Sequence, residues 1–144
     1  MKNKKKIIIS GGEGNLAKEI LKQNTGYEIL APSKSDLNIL NKTKLRNYLR
    51  INNPDFFLHT AAFTRPMNLH DKYPEKSIET NIVGTSNVVL ECIKNNIKLV
   101  YISTDYVYPG IRGNYREEDS LGPFFFNSDG LNKYGWSKLG GECR

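Results

Sequence analysis

Two cysteines are all the chain has, and Cys92 and Cys143 stand far apart in it. That leaves no disulfide framework and no metal-type spacing, and it suits a reducing compartment. No apolar run approaches the ~18 residues that a membrane span requires. The opening MKNKKKIIIS offers only three isoleucines before Ser10 and Gly11. That is too short for a signal-peptide core and reads as a strand. A cytoplasmic protein is expected. Repeats, low-complexity tracts and a Pro/Gly-rich linker are also missing, so nothing divides the 144 residues. Acids are outnumbered, 15 against 21 Lys and Arg, for a net charge of +6. Four lysines fall within the first six residues and the others are scattered among acids. The excess therefore reads as a solvated tail, and neither nucleic acid nor membrane is expected as a partner.

What is present is alternation. KKIIIS (5–10) is an apolar run closed by glycines and predicts a strand. NLAKEILKQN (15–24) predicts a helix, with Leu16, Ile20 and Leu21 at helical spacing. YEILA (27–31) ends at Pro32 and predicts a second strand. KTKLRNYLRINN (42–53) predicts a helix with Leu45, Tyr48 and Leu49 inward, and DFFLHTAA (55–62) a third strand. PEKSIETNIVGTSNVVLECIKNN (74–96) predicts a long helix opened by Pro74, with Ile78, Ile82, Val89 and Ile93 as its apolar face. KLVYIST (98–104) predicts a fourth strand, and NKYGWSKLGGE (132–142) the start of a further, glycine-weakened helix. Strands alternating with helices imply an α/β fold with a parallel sheet covered on both faces. The expected form is a Rossmann-type doubly wound sheet. Strand two lies beside strand one and strand three beyond it. Strand four lies on strand one's other side, with the switch point between strands one and four. Ligands in such sheets bind outside the carboxyl ends of the strands.

Those ends carry distinctive residues. SGGEGNLA (10–17) follows the first strand and opens a helix. In its G-x-x-G-x-x-A pattern Gly11 permits a tight turn and Gly14 lets backbone approach a pyrophosphate. Ala17 lets helix and strand pack closely, and the free N–H groups of the helix start face the phosphates. After strand two, Ser33 and Lys34 stand where an acid often holds the adenosine ribose. A hydroxyl and an ammonium suit a 2′-phosphate, which favours NADP(H) over NAD(H), with Asp36 close enough to reverse that preference. Ala61 and Ala62, after strand three, are small enough for a cofactor to lie across them. His59, within that apolar strand, could serve as a base, but a lone His there is more often a satisfied structural residue. Asn81 either tethers neighbouring backbone or faces water. Ser103, Thr104 and Asp105 close strand four. Tyr134 and Lys138 share one face of the last helix. By itself that pair says little: 8 Tyr and 15 Lys in 144 residues give about one such pair by chance.

The motifs in order are a stronger signal than any one alone. SGGEGNLA, LNI, TAAFT, TNIVGTSNVV, YISTDYVYPG, YREED and YGWSK occur in the sequence characteristic of one family. Over about residues 6–142 the chain resembles the extended short-chain dehydrogenase/reductases, nearest to the dTDP-4-dehydrorhamnose reductases and similar nucleotide-sugar reductases. The resemblance implies that Tyr134 is the general acid for the substrate oxygen. Lys138 would bind the nicotinamide ribose and lower the tyrosine pKa, and Thr104 would hydrogen-bond the substrate carbonyl. It implies pyrophosphate contacts at Gly14, Asn15 and Leu16, and an adenine border at Asn38 and Ile39, where the family often has Asp at the first position. Ala62, Phe63 and Thr64 would line the cofactor, and Asp105 would touch substrate. A nucleotide sugar is the expected partner, with a second copy of the chain as a further option.

The likeness breaks at two places. SLGPFFFNSDGLNK (120–133) is longer than usual for the family, and its Phe124, Phe125 and Phe126 suit a pocket wall, a partner surface or sheet packing. The chain also stops inside the helix that carries Tyr134 and Lys138. Residues 1–144 are thus expected to be the N-terminal part of an NAD(P)-binding domain, truncated after the fourth strand and its helix, without the substrate-binding part. Such a chain would not turn over alone. The leading expectation is NAD(P)H-dependent reduction of a 4-keto nucleotide sugar. The alternatives are an epimerase or dehydratase that retains NAD, and a non-catalytic regulatory subunit of the same fold.

Overall fold

The computed structural model describes residues 4–23, 26–64, 66–122 and 133–142. Four parallel strands form its sheet: β1 (Lys6–Ser10), β2 (Glu28–Leu30), β3 (Phe56–His59) and β4 (Lys98–Tyr101). The helices are α1 (Asn15–Leu21), α2 (Lys42–Asn52), α3 (Asn68–Lys72), α4 (Pro74–Ser77), α5 (Thr85–Lys94) and α6 (Lys133–Gly141). The consecutive isoleucines of β1 suit a strand covered on both faces, and Ile8 and Ile9 are fully buried. Ile8 sits in a core with Leu45 and Leu49 of α2, Phe57 of β3, and Val88 and Cys92 of α5. Helix α2 is well delimited. The Asn41 side chain accepts the Lys44 N–H at 2.9 Å, and Asn53 ends the helix in the left-handed region at φ 42°, just before Pro54.

The strand order is β2-β1-β3-β4. This corrects the expected order, which placed the third strand beyond the second. The right-handed crossover rule fixes the hand of each connection but not its direction. From β2 the chain returns over β1 through α2 and lands on β1's far side. Helices α2 and α5 pack on each other, and Arg46 forms a salt bridge with Glu91 at 3.0 Å. Both crossovers therefore run the same way on one face, and the switch point lies between β1 and β3.

The long helix also differs from its expected form. Between α4 and α5 it runs as a π-helical stretch, Ile78–Gly84. Its inward face is Ser77, Asn81, Thr85, Val88 and Cys92, all buried. Of the expected apolar face, Ile78 and Ile93 are turned outward, 53% and 71% exposed, while Ile82 and Val89 are half-buried. Hydrophobic periodicity misleads in part because three of the inward positions, Ser77, Asn81 and Thr85, are polar.

Candidate functional site

The loop after β1 is shaped by two glycines. Gly11 adopts φ +72°, and the Gly14 N–H closes the turn on the Gly11 carbonyl at 2.9 Å. Gly12 has no room for a side chain: a Cβ there would lie 2.3 Å from the Ala31 carbonyl oxygen and 2.6 Å from that of Pro32. The turn is thus pressed onto the end of β2. Ala17 is the one buried residue of α1.

A groove of about 590 Å³ runs along the carboxyl ends of the strands. It brings together Gly11, Gly14, Asn15, Leu16, Lys34, Asn38, Ile39, Ala61, Ala62 and Thr64, ten of the positions singled out in the sequence. Ser33 is not in its wall; its hydroxyl donates to the Asp36 carboxylate at 2.6 Å. Phe63 also lies outside the wall and is held by its backbone. Its N–H donates to Asn81 Oδ1 at 2.7 Å, and its carbonyl accepts from Asn81 Nδ2 at 2.9 Å. Asn81 therefore tethers backbone, and its amide also reaches Ser137 Oγ of α6 at 2.9 Å. Sequence reasoning passed over Gly12, Glu13, Thr60, Thr80 and Ile102, all but the first of which line the groove. The doubled glycine of SGGEG was a usable signal for Gly12. Ile102 also offers its carbonyl to Lys138, which no side-chain pattern reveals.

Thr104, Asp105, Tyr134 and Lys138 are not in the groove wall, and helix α6 meets it through Ile102. The Lys138 ammonium is buried and donates to the Ile102 carbonyl at 2.7 Å, at the rim of the groove. It also lies 4.2 Å from the centre of the Tyr101 ring. Burial pulls its pKa down to about 8, and the Glu142 carboxylate works against that shift. The amine keeps its proton at neutral pH. Tyr134, one turn earlier, is half-buried, its ring 5.7 Å from that of Tyr106 and 5.1 Å from that of His70. Thr104 precedes the 3₁₀ turn Asp105–Val107; its hydroxyl donates to Asp105 Oδ1 at 3.1 Å and accepts the Tyr106 N–H at 3.3 Å. The Thr104 loop and the Tyr134 helix thus meet through Tyr106. Asp105 is exposed beside them. Phe124, Phe125, Phe126 and Cys143 lie outside the described residues.

Two histidines stand behind the site. His59 is buried as a structural residue, Nδ1 2.7 Å from Ser10 Oγ and Nε2 3.0 Å from Thr85 Oγ1. Burial, then the Lys138 charge, lowers its pKa to about 3. The unfolded chain takes up that proton near 6.5, so stability attributable to His59 is complete above pH 6.5 and is lost as pH falls towards 3. Denaturant unfolding across this range is expected to show up to about 1.4 kcal/mol lost per pH unit, a slope that His59→Gln flattens. His70 was not singled out in the sequence. Its Nδ1 is 2.7 Å from Ser77 Oγ, its ring is 4.7 Å from that of Phe63, and its buried Nε2 has no hydrogen-bond partner among the described residues.

A parallel sheet, a glycine turn against its first strand and a groove over the strand ends define a Rossmann-type α/β domain. Within that class, the chain belongs to the RmlD substrate binding domain family, whose model matches residues 5–144. It is 33% identical over 141 residues to the spore coat polysaccharide biosynthesis protein SpsK of Bacillus subtilis, covering 95% of this chain and 47% of that one. It is 28% identical over 147 residues to methionine adenosyltransferase 2 subunit beta of Bos taurus, covering 96% and 42%. Its fold matches the dTDP-4-dehydrorhamnose reductase of Bacillus anthracis in complex with NADP, with a TM-score of 0.88 and 30% identity over 98% of this chain and 49% of that one. The chain spans about half the length of the curated relatives it matches. Among the described residues, no helix is long and apolar enough to cross a membrane.

Proposed function

We propose that this chain is the dinucleotide-binding part of an NADP(H)-dependent reductase acting on a 4-keto nucleotide sugar. One observation carries the reading: the groove lined by Gly11 and Gly14 is also lined by Ile102, whose carbonyl accepts from the Lys138 ammonium at 2.7 Å. The glycine turn and the alanines after β3 present bare backbone to a pyrophosphate and nicotinamide. The bound nicotinamide supplies the hydride. Tyr134 gives its hydroxyl proton to the substrate oxygen. The Lys138 charge stabilises the phenolate left behind, and Thr104 turns its hydroxyl from Asp105 to the carbonyl. The NADP-bound Bacillus anthracis reductase supports both cofactor and substrate class. In this reading residues 1–144 supply the cofactor side and a separate part selects the sugar, in the cytoplasm, with a second copy of the chain as a partner option.

Titration with NADPH and NADH, followed by NADPH consumption with a dTDP-4-keto-6-deoxy sugar, tests it. Saturable binding is expected of this chain, and net consumption of the form of the protein that also carries the part selecting the sugar. NAD retained through purification with no net consumption would instead indicate an epimerase or dehydratase. A second reading, a non-catalytic subunit, draws on the likeness to methionine adenosyltransferase 2 subunit beta. A stable complex with another enzyme and no reduction would favour it.

A further inference from the structure

We propose that Glu13 sets the penalty that an adenosine 2′-phosphate meets in this chain. The inference rests on the dinucleotide-binding reading, which puts the adenosine ribose at the end of β2. Because Gly12 packs directly on Ala31 and Pro32, residue 13 is delivered to that end of the groove. There Glu13 Oε2 accepts the Lys34 backbone N–H at 3.1 Å, and both residues line the groove. The neighbouring hydroxyl of Ser33 is given to Asp36 at 2.6 Å. The donors that would greet a phosphate, the Lys34 amide and the Ser33 hydroxyl, are therefore already engaged by carboxylates of the chain itself.

The consequence differs for the two cofactors. A ribose 2′-hydroxyl can donate to the Glu13 carboxylate and leave the Lys34 contact in place. A 2′-phosphate is mostly dianionic at neutral pH and in that form has no proton to offer. It must displace Glu13 from the Lys34 amide and then sit beside a like charge, with the Lys34 ammonium as its compensation. Glu13 thus holds down a preference for NADP(H) that Lys34 builds up. Reading Ser33 and Lys34 alone overlooks this, because the opposing acid is 21 positions away in sequence.

Adenosine 2′,5′-bisphosphate and 5′-AMP isolate the question, since both occupy only the adenosine half of the groove. Calorimetric titration of each into the chain gives their affinity ratio. Glu13→Gln keeps an acceptor for the Lys34 N–H and removes the charge. It is expected to raise the ratio in favour of the bisphosphate by about three- to tenfold at low salt, with the gain shrinking as salt is added. Lys34→Gln is expected to lower the ratio. Glu13 and Lys34 are surface residues, so circular dichroism should show the variants folded. An unchanged ratio in both Glu13→Gln and Glu13→Ala, with both nucleotides binding, would overturn the proposal and leave the dinucleotide reading standing. If neither nucleotide binds the folded parent chain, that reading fails and the proposal fails with it.

Discussion

Replacing Tyr134 with Phe should lower ketone reduction by roughly 10²–10⁴-fold, the usual value of a positioned proton donor, with dinucleotide affinity almost unchanged. The ring itself is held by packing. It lies against His70 at 5.1 Å and Tyr106 at 5.7 Å, contacts that Phe retains. What Phe lacks is the proton for the nascent alkoxide. The loss should fall on kcat rather than KM, measured as NADPH consumption in the form of the protein that turns over. The pH profile adds a second check. Lys138 carries its charge below about 8 and loses it above, so the parent rate should decline as pH rises through that value. A Tyr134→Phe protein with full activity would remove the assigned acid, whatever the pH profile showed.

Much of this site was legible because its parts are local. The glycine turn, the alanines after β3 and the spacing of Tyr134 and Lys138 each lie within a few consecutive residues. The end of a strand is where a parallel sheet must place the first two, and one helix face carries the third. Ten of the positions expected to meet a cofactor share one groove. The features that escaped are those that local pattern does not encode. The strand order turns on the direction in which α2 crosses the sheet, which the Arg46–Glu91 pair reveals only once α2 and α5 are side by side. The inward face of the long helix was misjudged because Asn81 and Thr85 occupy it. Their partners, the Phe63 backbone and His59, belong to β3 and the loop after it. His59 could be recognised as structural from its apolar strand. Its two hydroxyl partners, from β1 and α5, could not.

The π-helical stretch links these observations. A stretch of wider turns sets where the flanking residues point, and such stretches often occur at functional sites. Here Asn81 lies within it and ties three elements together: the loop after β3 through Phe63, the helix itself, and α6 through Ser137. Helix α6 carries Tyr134 and Lys138, so the same amide that holds the Phe63 backbone beside the groove is also tied to the helix of the pair.

Gly12→Ala should be the most damaging small substitution in the loop. The added Cβ would fall 2.3 Å from the Ala31 carbonyl oxygen and 2.4 Å from its carbon, well inside any real contact. The obstacle is backbone at the end of β2, so no rotamer change can relieve it. The turn or the strand must move. Overpacking of this kind costs about 1–3 kcal/mol, and more where the neighbours cannot yield, so a loss of about 3 kcal/mol is expected. For a chain of this size that corresponds to a Tm lower by about 10 °C. Gly113→Ala is the matched control. A Cβ there meets nothing within 4 Å, so its Tm should stay close to that of the parent. Nucleotide affinity should fall with stability in the Gly12 variant alone, because moving the turn also moves Glu13 and Gly14 relative to Lys34. A Gly12→Ala chain with parental Tm and parental affinity would mean that the turn does not press on β2, and the geometry argued for Glu13 would lose its foundation.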